Sequence, residues 1–357
     1  MKFAHMADMH FDTPFSSLNV KEGLGEKRRL EQRNAFRKAI DYILENDIEY
    51  LFISGDLYEN EYVRKSTIDF IKDQFARIPN TKIVISPGNH DPYINGSYYS
   101  SYNFGKNVYV FSSSRIERIE DENVAIYGMA FTDFYMNESA FENFEIEDPG
   151  KLNILVAHCD LNGAKSGEGM GYNKVAESKL KSLKFDYCAI GHIHKNNLDN
   201  ENRIFYPGST ISLGFDELGD HGMIVGEITK KKLDMDFVVL DDRKYVELEI
   251  IVSDLESKEE LIEKIVGLDL NSSYLYKLVL VGNRNFEIDT RGLLKVLEAD
   301  NILKIKDETK IAYNLEMIAS QNNLRGMFVN EVIKMYNEGK YTKEECEKAI
   351  EIGLESM

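Results

Sequence analysis

Ile85-Ser86-Pro87-Gly88-Asn89-His90-Asp91 sets an amide, an imidazole and a carboxylate side by side at the end of a short apolar run. The amide oxygen is a neutral metal ligand, the imidazole titrates near neutral pH, and the carboxylate can fix the ring's tautomer. Alone, the stretch also reads as a polar surface turn. It is not alone. The chain has 7 histidines, and His10, His90, His158, His192 and His194 each close a candidate strand, as do Asp8, Asp56 and Asn89. Imidazole and carboxylate together suit Mn, Fe or Zn, and the lack of clustered cysteines argues against a purely structural zinc site. Asp56 has two oxygens with which to bridge a cation pair, and Gly55 before it permits close approach of the backbone. Two cations about 3.5–4 Å apart lower the pKa of water towards ~7 and clamp the attacking and leaving oxygens of a phosphoester. A cationic histidine stabilises the developing charge and protonates the leaving oxygen. Neither a P-loop nor a Rossmann fingerprint competes with this reading.

Such residues must be brought together by strands that end at one place. Apolar runs at 2–7, 50–54, 82–85, 153–157 and 187–190 read as buried strands, each followed by a polar motif. Helices over about 26–45, 64–76 and 175–183 separate them, which is α/β layering with ligands at the C-terminal ends of the strands. Further strands are expected near 108–111, 124–127, 223–228 and 235–240, the last two as part of an antiparallel run. Period-two alternation puts His192 and His194 on the same side of an extended segment. The stretch 91–106 is a long loop whose Tyr93, Tyr98, Tyr99 and Tyr102 either stack on bases or pin the loop by packing. Gly163–Gly171 reads as a mobile loop beside the site. His5 supports Asp8 or is a satisfied core histidine, and His221 lies outside the site.

After Tyr245 the character changes. Strands at 247–252, 275–281 and 302–305 alternate with charged helices at 257–266 and 290–297, with no histidine among them. A helical tail follows, with Thr342 and Glu345 as a capping box. Met327, Phe328, Val332, Met335 and Tyr336 form an apolar stripe that packs at home or binds a partner. The expected division is 1–244, 245–308 and 309–357.

A length of 357 residues suits a large domain with smaller additions, and 43% hydrophobic with 29% charged residues is globular composition. No apolar run is long enough for a bilayer, and the first residues show no signal-peptide pattern. With 3 scattered cysteines, a reducing cytoplasm is expected. The net charge of −18 argues against a generally basic nucleic-acid surface, so a DNA substrate needs local positive charge. Lys27, Arg28, Arg29, Arg33, Arg37 and Lys38 are the clearest basic cluster, either a phosphate-facing patch or a solvated helix face.

Asp8-x-His10, Gly55-Asp56-x-x-Glu59, Gly88-Asn89-His90-Asp91, His158 and Gly191-His192-x-His194, in that order and each after an apolar strand, resemble the motifs of calcineurin-like metallophosphoesterases over residues 1–240. The resemblance implies a four-layer αββα sandwich with a small α/β cap and a helical tail. It implies one metal on Asp8, His10, Asp56 and His194, and another on Asp56, Asn89, His158 and His192. His90 becomes the catalytic histidine and Asp91 its orienting partner. The implied cofactor is two divalent cations, manganese first, with iron or zinc as alternatives.

A narrower resemblance, through Asp8-Met9-His10-Phe11-Asp12-Thr13-Pro14-Phe15 and Tyr206-Pro207-Gly208-Ser209, is to the SbcD-type repair nucleases, YhaO-type members above all. It implies a DNA substrate, a cap over DNA access, an SMC-like ATPase of the SbcC type docked on the tail, and dimerisation. Cys159 stands where a glycine is common in that branch. The alternatives are a phosphodiesterase or phosphatase acting on a small molecule or nucleotide, and a non-catalytic scaffold, against which the full ligand set counts.

Overall fold

The computed structural model describes every residue except 19–20, 164–170, 199–202 and 314. The chain forms two compact units, Met1–Val246 and Glu247–Met357.

In the first unit the apolar runs form strands β1 (Lys2–Met6), β2 (Tyr50–Ile53), β3 (Lys82–Ile85) and β4 (Val108–Val110), followed by β5 (Glu117–Glu120), β6 (Val124–Gly128), β7 (Leu152–His158) and β8 (Tyr187–Gly191). Then come β9 (Ile204–Phe205), β10 (Gly222–Ile228) and β11 (Leu233–Val239). The helices are α1 (Leu24–Glu45), α2 (Lys65–Ala76), a single turn α3 (Tyr98–Ser101) and α4 (Glu177–Leu183). One sheet has the order β11-β10-β1-β2-β3-β4 and the other β5-β6-β7-β8-β9. β1 to β4 run parallel, as do β6 to β9, so the motif-bearing ends of each set share one edge.

Alternation explains the layers. Phe3, Phe52 and Val84 of the first sheet share a buried cluster with Ile126, Ile154, Val156, Tyr187 and Phe205 of the second, which locks the two sheets face to face. The alternate residues Ala4, Met6, Leu51, Ile53, Ile83 and Ile85 are also buried, on the side of α1 and α2. On the far face of the second sheet, Leu155, Ala157, Cys188 and Ile190 pack with Leu180 of α4 and with Phe185. The result is the expected αββα sandwich.

Three expectations shift. β10 and β11 extend the first sheet, with β10 antiparallel to β1, rather than forming part of a separate antiparallel run after β9. β5 is an additional strand, its Glu-Arg-Ile-Glu carrying no apolar run. The 91–106 loop is pinned by its aromatics: Tyr99 packs on Tyr58 with ring centroids 5.1 Å apart, and Tyr102 packs on Phe104 at 5.4 Å. The expected loop around Gly163–Gly171 falls largely outside the described residues.

In the second unit β12 (Tyr245–Ile251, entering from the first unit), β13 (Leu275–Val281) and β15 (Ile302–Asp307) form a sheet in the order β12-β13-β15, and β14 (Asn283–Arg284) pairs with β16 (Lys310–Ile311). Helices α5 (Lys258–Val266) and α6 (Thr290–Leu297) accompany them, and α7 (Leu315–Ala319), α8 (Leu324–Asn337) and α9 (Lys343–Glu355) follow. Thr342 and Glu345 form the capping box. The expected stripe divides: Val332 and Phe328 pack with Cys346, Ile350 and Leu354, while Met327 and Tyr336 are exposed. Among the described residues no helix is long and apolar enough to cross a membrane.

Candidate metal centre

Asp8, His10, Asp56, His158, His192 and His194 come from the ends of β1, β2, β7 and β8, and Asn89, His90 and Asp91 from the end of β3. The backbone there is unusual. Asp8 (φ 51), His10 (φ 47), Asp56 (φ 52) and His192 (φ 109) are left-handed without being glycine. Such conformations cost of order 1–3 kcal/mol each and persist where the surroundings over-determine them, typically at functional sites. Asp8 is fixed in this way, accepting the His192 backbone N–H at 3.0 and 3.1 Å through its two oxygens. β8 ends at Gly191, so His192 and His194 sit in an irregular turn rather than on one side of an extended segment. His192 Nδ1 lies 3.3 Å from His158 Nε2, whereas His194 Nε2 lies 3.2 Å from His10 Nε2.

The centre thus has two ends. At one, His158 donates through Nδ1 to the Ser54 carbonyl at 2.9 Å, which turns Nε2 towards Asn89 Oδ1 at 3.0 Å and Asp56 Oδ2 at 3.3 Å. At the other, His10 Nδ1 donates to Glu59 Oε1 at 2.7 Å and His194 Nδ1 to Glu217 Oε1 at 2.5 Å, so their Nε2 atoms face inwards. Asp56 Oδ2 lies 3.7 Å from His10 Nε2, within reach of both ends.

With each Nδ1–H committed, two facing Nε2 lone pairs beside carboxylates call for positive charge between them, and the residues present therefore fit cations. Candidate ligand atoms of Asp8, His10 and His194, and of Asp8, Asp56 and His158, lie within 4.8 Å of one another. Electrostatics agree. Burial opposes the charge on His158, yet Asp56 and Asp8 push its pKa up to about 9. Burial opposes the Asp56 carboxylate too, yet His158, His90 and His10 hold it well below the usual range.

His90 is 45% exposed beside the open end, its ring 4.7 Å from that of His10. Its Nδ1 lies 2.9 Å from Glu59 Oε2. Burial disfavours its charge, but the Glu59 hydrogen bond and Asp56 raise its pKa to about 9. Glu59 is lowered to about 2, burial being outweighed by its bonds to His10 and His90.

This corrects the pairing of His90 with Asp91. Asp91 is fully buried, and its carboxylate accepts the backbone N–H groups of Asp56, Leu57 and Gly88 and the Tyr99 hydroxyl. It ties the 56–57 turn to the 88–91 turn, and Glu59 takes the place expected for it. Burial and the neighbouring Asp56 push Asp91 up to about 7.

Glu217 is the residue that sequence reasoning missed. It lies far from any strand end, and its other oxygen accepts from Ser209 Oγ at 3.1 Å, beside His221. His5 does not touch Asp8; it lies between Tyr187 Oη and Ser54 Oγ, both at 3.0 Å.

Comparison with known proteins agrees with this geometry. The metallophosphoesterase YhaO of Bacillus subtilis (strain 168) is 24% identical over 275 residues, 74% of this chain and 66% of the relative, so the match spans just under two thirds of YhaO. The SbcD component of nuclease SbcCD from Staphylococcus epidermidis is 25% identical over 316 residues, 79% of this chain and 80% of the relative. Its counterpart in Staphylococcus saprophyticus is 23% identical over 305 residues, 77% of each chain. The calcineurin-like phosphoesterase family matches residues 1–196, more than half of the 357. The chain belongs to that family, whose members are hydrolases working through a dinuclear metal centre.

Proposed function

We propose that this protein is a phosphodiester hydrolase acting on DNA, an exonuclease or endonuclease of the SbcD type in DNA repair or end processing. The observation that carries the chemistry is Asp56: one oxygen faces both His10 and His158, as a bridging carboxylate must. On this reading Asp8, His10, Asp56 and His194 hold one cation, and Asp56, Asn89, His158 and His192 the other, manganese being the first candidate. When bound, the pair supplies an activated water and a clamp on the phosphoryl oxygens.

The protein's own residues do the rest. Glu59, Glu217 and the Ser54 carbonyl aim the imidazoles. His90, exposed and braced by Glu59, protonates the leaving oxygen. Asp91 holds together the two turns that carry Asp56 and His90. Two relatives named as the SbcD component of an SbcCD nuclease support a DNA substrate and an SbcC-type ATPase partner, for which the tail at 309–357 is the proposed dock and 245–308 the proposed cap. A cytoplasmic homodimer is part of the same reading.

The test is end-labelled duplex and single-stranded DNA, with a bis-aryl phosphodiester alongside, in Mn²⁺ and in EDTA. His90→Leu should lower cleavage by about 10²–10⁴-fold, the worth of a general acid, with metal content unchanged. Undiminished cleavage in that variant removes His90 from the mechanism. Turnover of the aryl diester without DNA cleavage would favour a small-molecule substrate, the reading that the −18 charge favours.

A further inference from the structure

The basic residues of α1 do not act as one patch. Arg28 is fully buried and holds Asp241 at 2.9 and 3.1 Å. Lys38 pairs with Asp242 at 2.5 Å, and Arg37 lies over the Phe70 ring at 4.9 Å. Arg29 and Arg33 turn instead into a cavity of about 430 Å³, whose lining also includes Asp12, Leu30, Tyr62 and Arg64.

The other walls of this cavity are the two loops that carry His10 and Glu59. The Glu59 N–H donates to Phe11 O at 3.0 Å, Tyr62 N–H to Glu59 O at 3.0 Å, and Arg64 N–H to Asp12 Oδ2 at 2.9 Å. Asp12 is occupied in joining those loops, since Thr67 Oγ1 also donates to it at 2.6 Å. Arg33 is held by Thr67 Oγ1 at 2.6 Å. Arg29 reaches only the Pro14 carbonyl, at 3.4 Å, and neither it nor Arg64 has an ion pair among the described residues. Glu26 is the other carboxylate in the lining, and it is exposed. Tyr62 and Leu30 present 48% and 56% of their surface.

Two guanidinium groups without carboxylate partners match phosphate oxygens, which a planar fork binds in pairs. An exposed tyrosine beside an exposed leucine offers a base a face to stack on. The volume is that of a small-ligand site. The cavity adjoins the open, His90 end of the centre, where the leaving oxygen departs.

We propose that this cleft is a nucleotide subsite: Arg29 and Arg64 take the strand phosphate next to the one being cleaved, on the leaving side, and the adjoining base rests on Tyr62 and Leu30. The subsite rests on the nucleic-acid reading above. It also supplies the local positive charge that a chain of net charge −18 needs for a polyanion.

The test measures binding of a fluorescein-labelled ten-nucleotide single strand by anisotropy with divalent cations chelated, and separately the turnover of a bis-aryl phosphodiester, which has no second phosphate. The double variant Arg29→Gln/Arg64→Gln should bind the strand about tenfold or more weakly. Its slope of log affinity against log salt should fall by about 1.4, at ~0.7 per lost phosphate contact. Tyr62→Ala should weaken binding with the slope unchanged. Aryl diester turnover should be that of the wild type in both variants. Strand binding equal to that of wild type overturns the subsite and leaves the nuclease reading standing. A parallel fall in aryl diester turnover also overturns it, because the arginines would then be bracing the loops of the metal centre. A wild-type protein that turns over the aryl diester but neither binds nor cleaves the strand overturns the nucleic-acid reading and the subsite with it.

Discussion

The two ends of the metal centre use the same residue types and anchor them differently. At the closed end Asp56, Asn89, His158 and His192 are all buried, and the anchor for His158 is main chain, the Ser54 carbonyl. The backbone presses directly on that ring: a Cβ at Gly55 would lie 2.5 Å from His158 Nδ1, and one at Gly191 2.9 Å from it. At the open end His194 is 18% and His90 45% exposed, and the anchors are the side chains Glu59 and Glu217. A carbonyl at the end of a central strand moves only with the sheet. A glutamate reached through three torsions can adjust, and its charge strengthens the imidazole as a ligand. The closed end is therefore scaffold-defined, and the open end is where ligand exchange and proton transfer have room.

The variant expected to have the largest effect abolishes the distinction. Asp56→Asn takes the shared carboxylate from both ends, so metal content should fall from two equivalents to one or none, and phosphodiester turnover by about 10³-fold or more. Metal analysis of the purified variant beside initial rates checks this. Two retained equivalents would show that Asp56 does not bridge.

Anchor variants come next and separate the ends. Glu217→Gln should weaken one cation by about 10–100-fold, the usual cost of losing such an orienting partner, and leave the other at wild-type affinity in a calorimetric titration. Glu59→Gln should do the same and in addition lower turnover at saturating metal, because the second oxygen of Glu59 braces His90. Equal weakening of both cations in either variant would erase the contrast between main-chain and side-chain anchoring.

That contrast also marks how far the sequence could be read. The ligands were legible because each follows an apolar run, and buried parallel strands deliver their C-terminal residues to one edge. The anchors were not. Asp91 is adjacent to His90 in the chain, and adjacency suggested a pairing that the turn does not allow: Asp91 points inwards to three backbone N–H groups. Glu217 comes from an aperiodic stretch more than twenty residues after His194, and nothing local marks it. The left-handed turns at Asp8, His10, Asp56 and His192 leave no trace in residue type, since none is glycine or asparagine. In the fold, α1 and α2 were readable from their periodicity. The placement of β10 against β1 was not, because it pairs residues more than two hundred positions apart.

His5 gives the smallest and most specific effect, and it lies beneath the closed end. Ser54 Oγ donates to Ala189 O and so accepts from His5 Nε2, which leaves Nδ1 to accept from Tyr187. His5 is thus folded as a neutral ring, and burial lowers its pKa from 6.5 to about 3. Between these values the unfolded chain binds a proton that the native protein refuses, so stability falls as pH drops below about 6.5, by ~1.4 kcal/mol per pH unit from this residue. His5→Gln removes that term and leaves every other titration in place. In urea unfolding the variant should be less stable than wild type at pH 7, by about 1–3 kcal/mol for the buried hydrogen bonds. The gap should narrow by about 1 kcal/mol per unit between pH 6 and 4. Because Ser54 also anchors His158, the variant should disturb the closed end before the open one, weakening the cation that Glu217→Gln spares. Stability curves that stay parallel over that range would mean that His5 takes up its proton without unfolding, and that the floor of the closed end is less dry than its packing indicates.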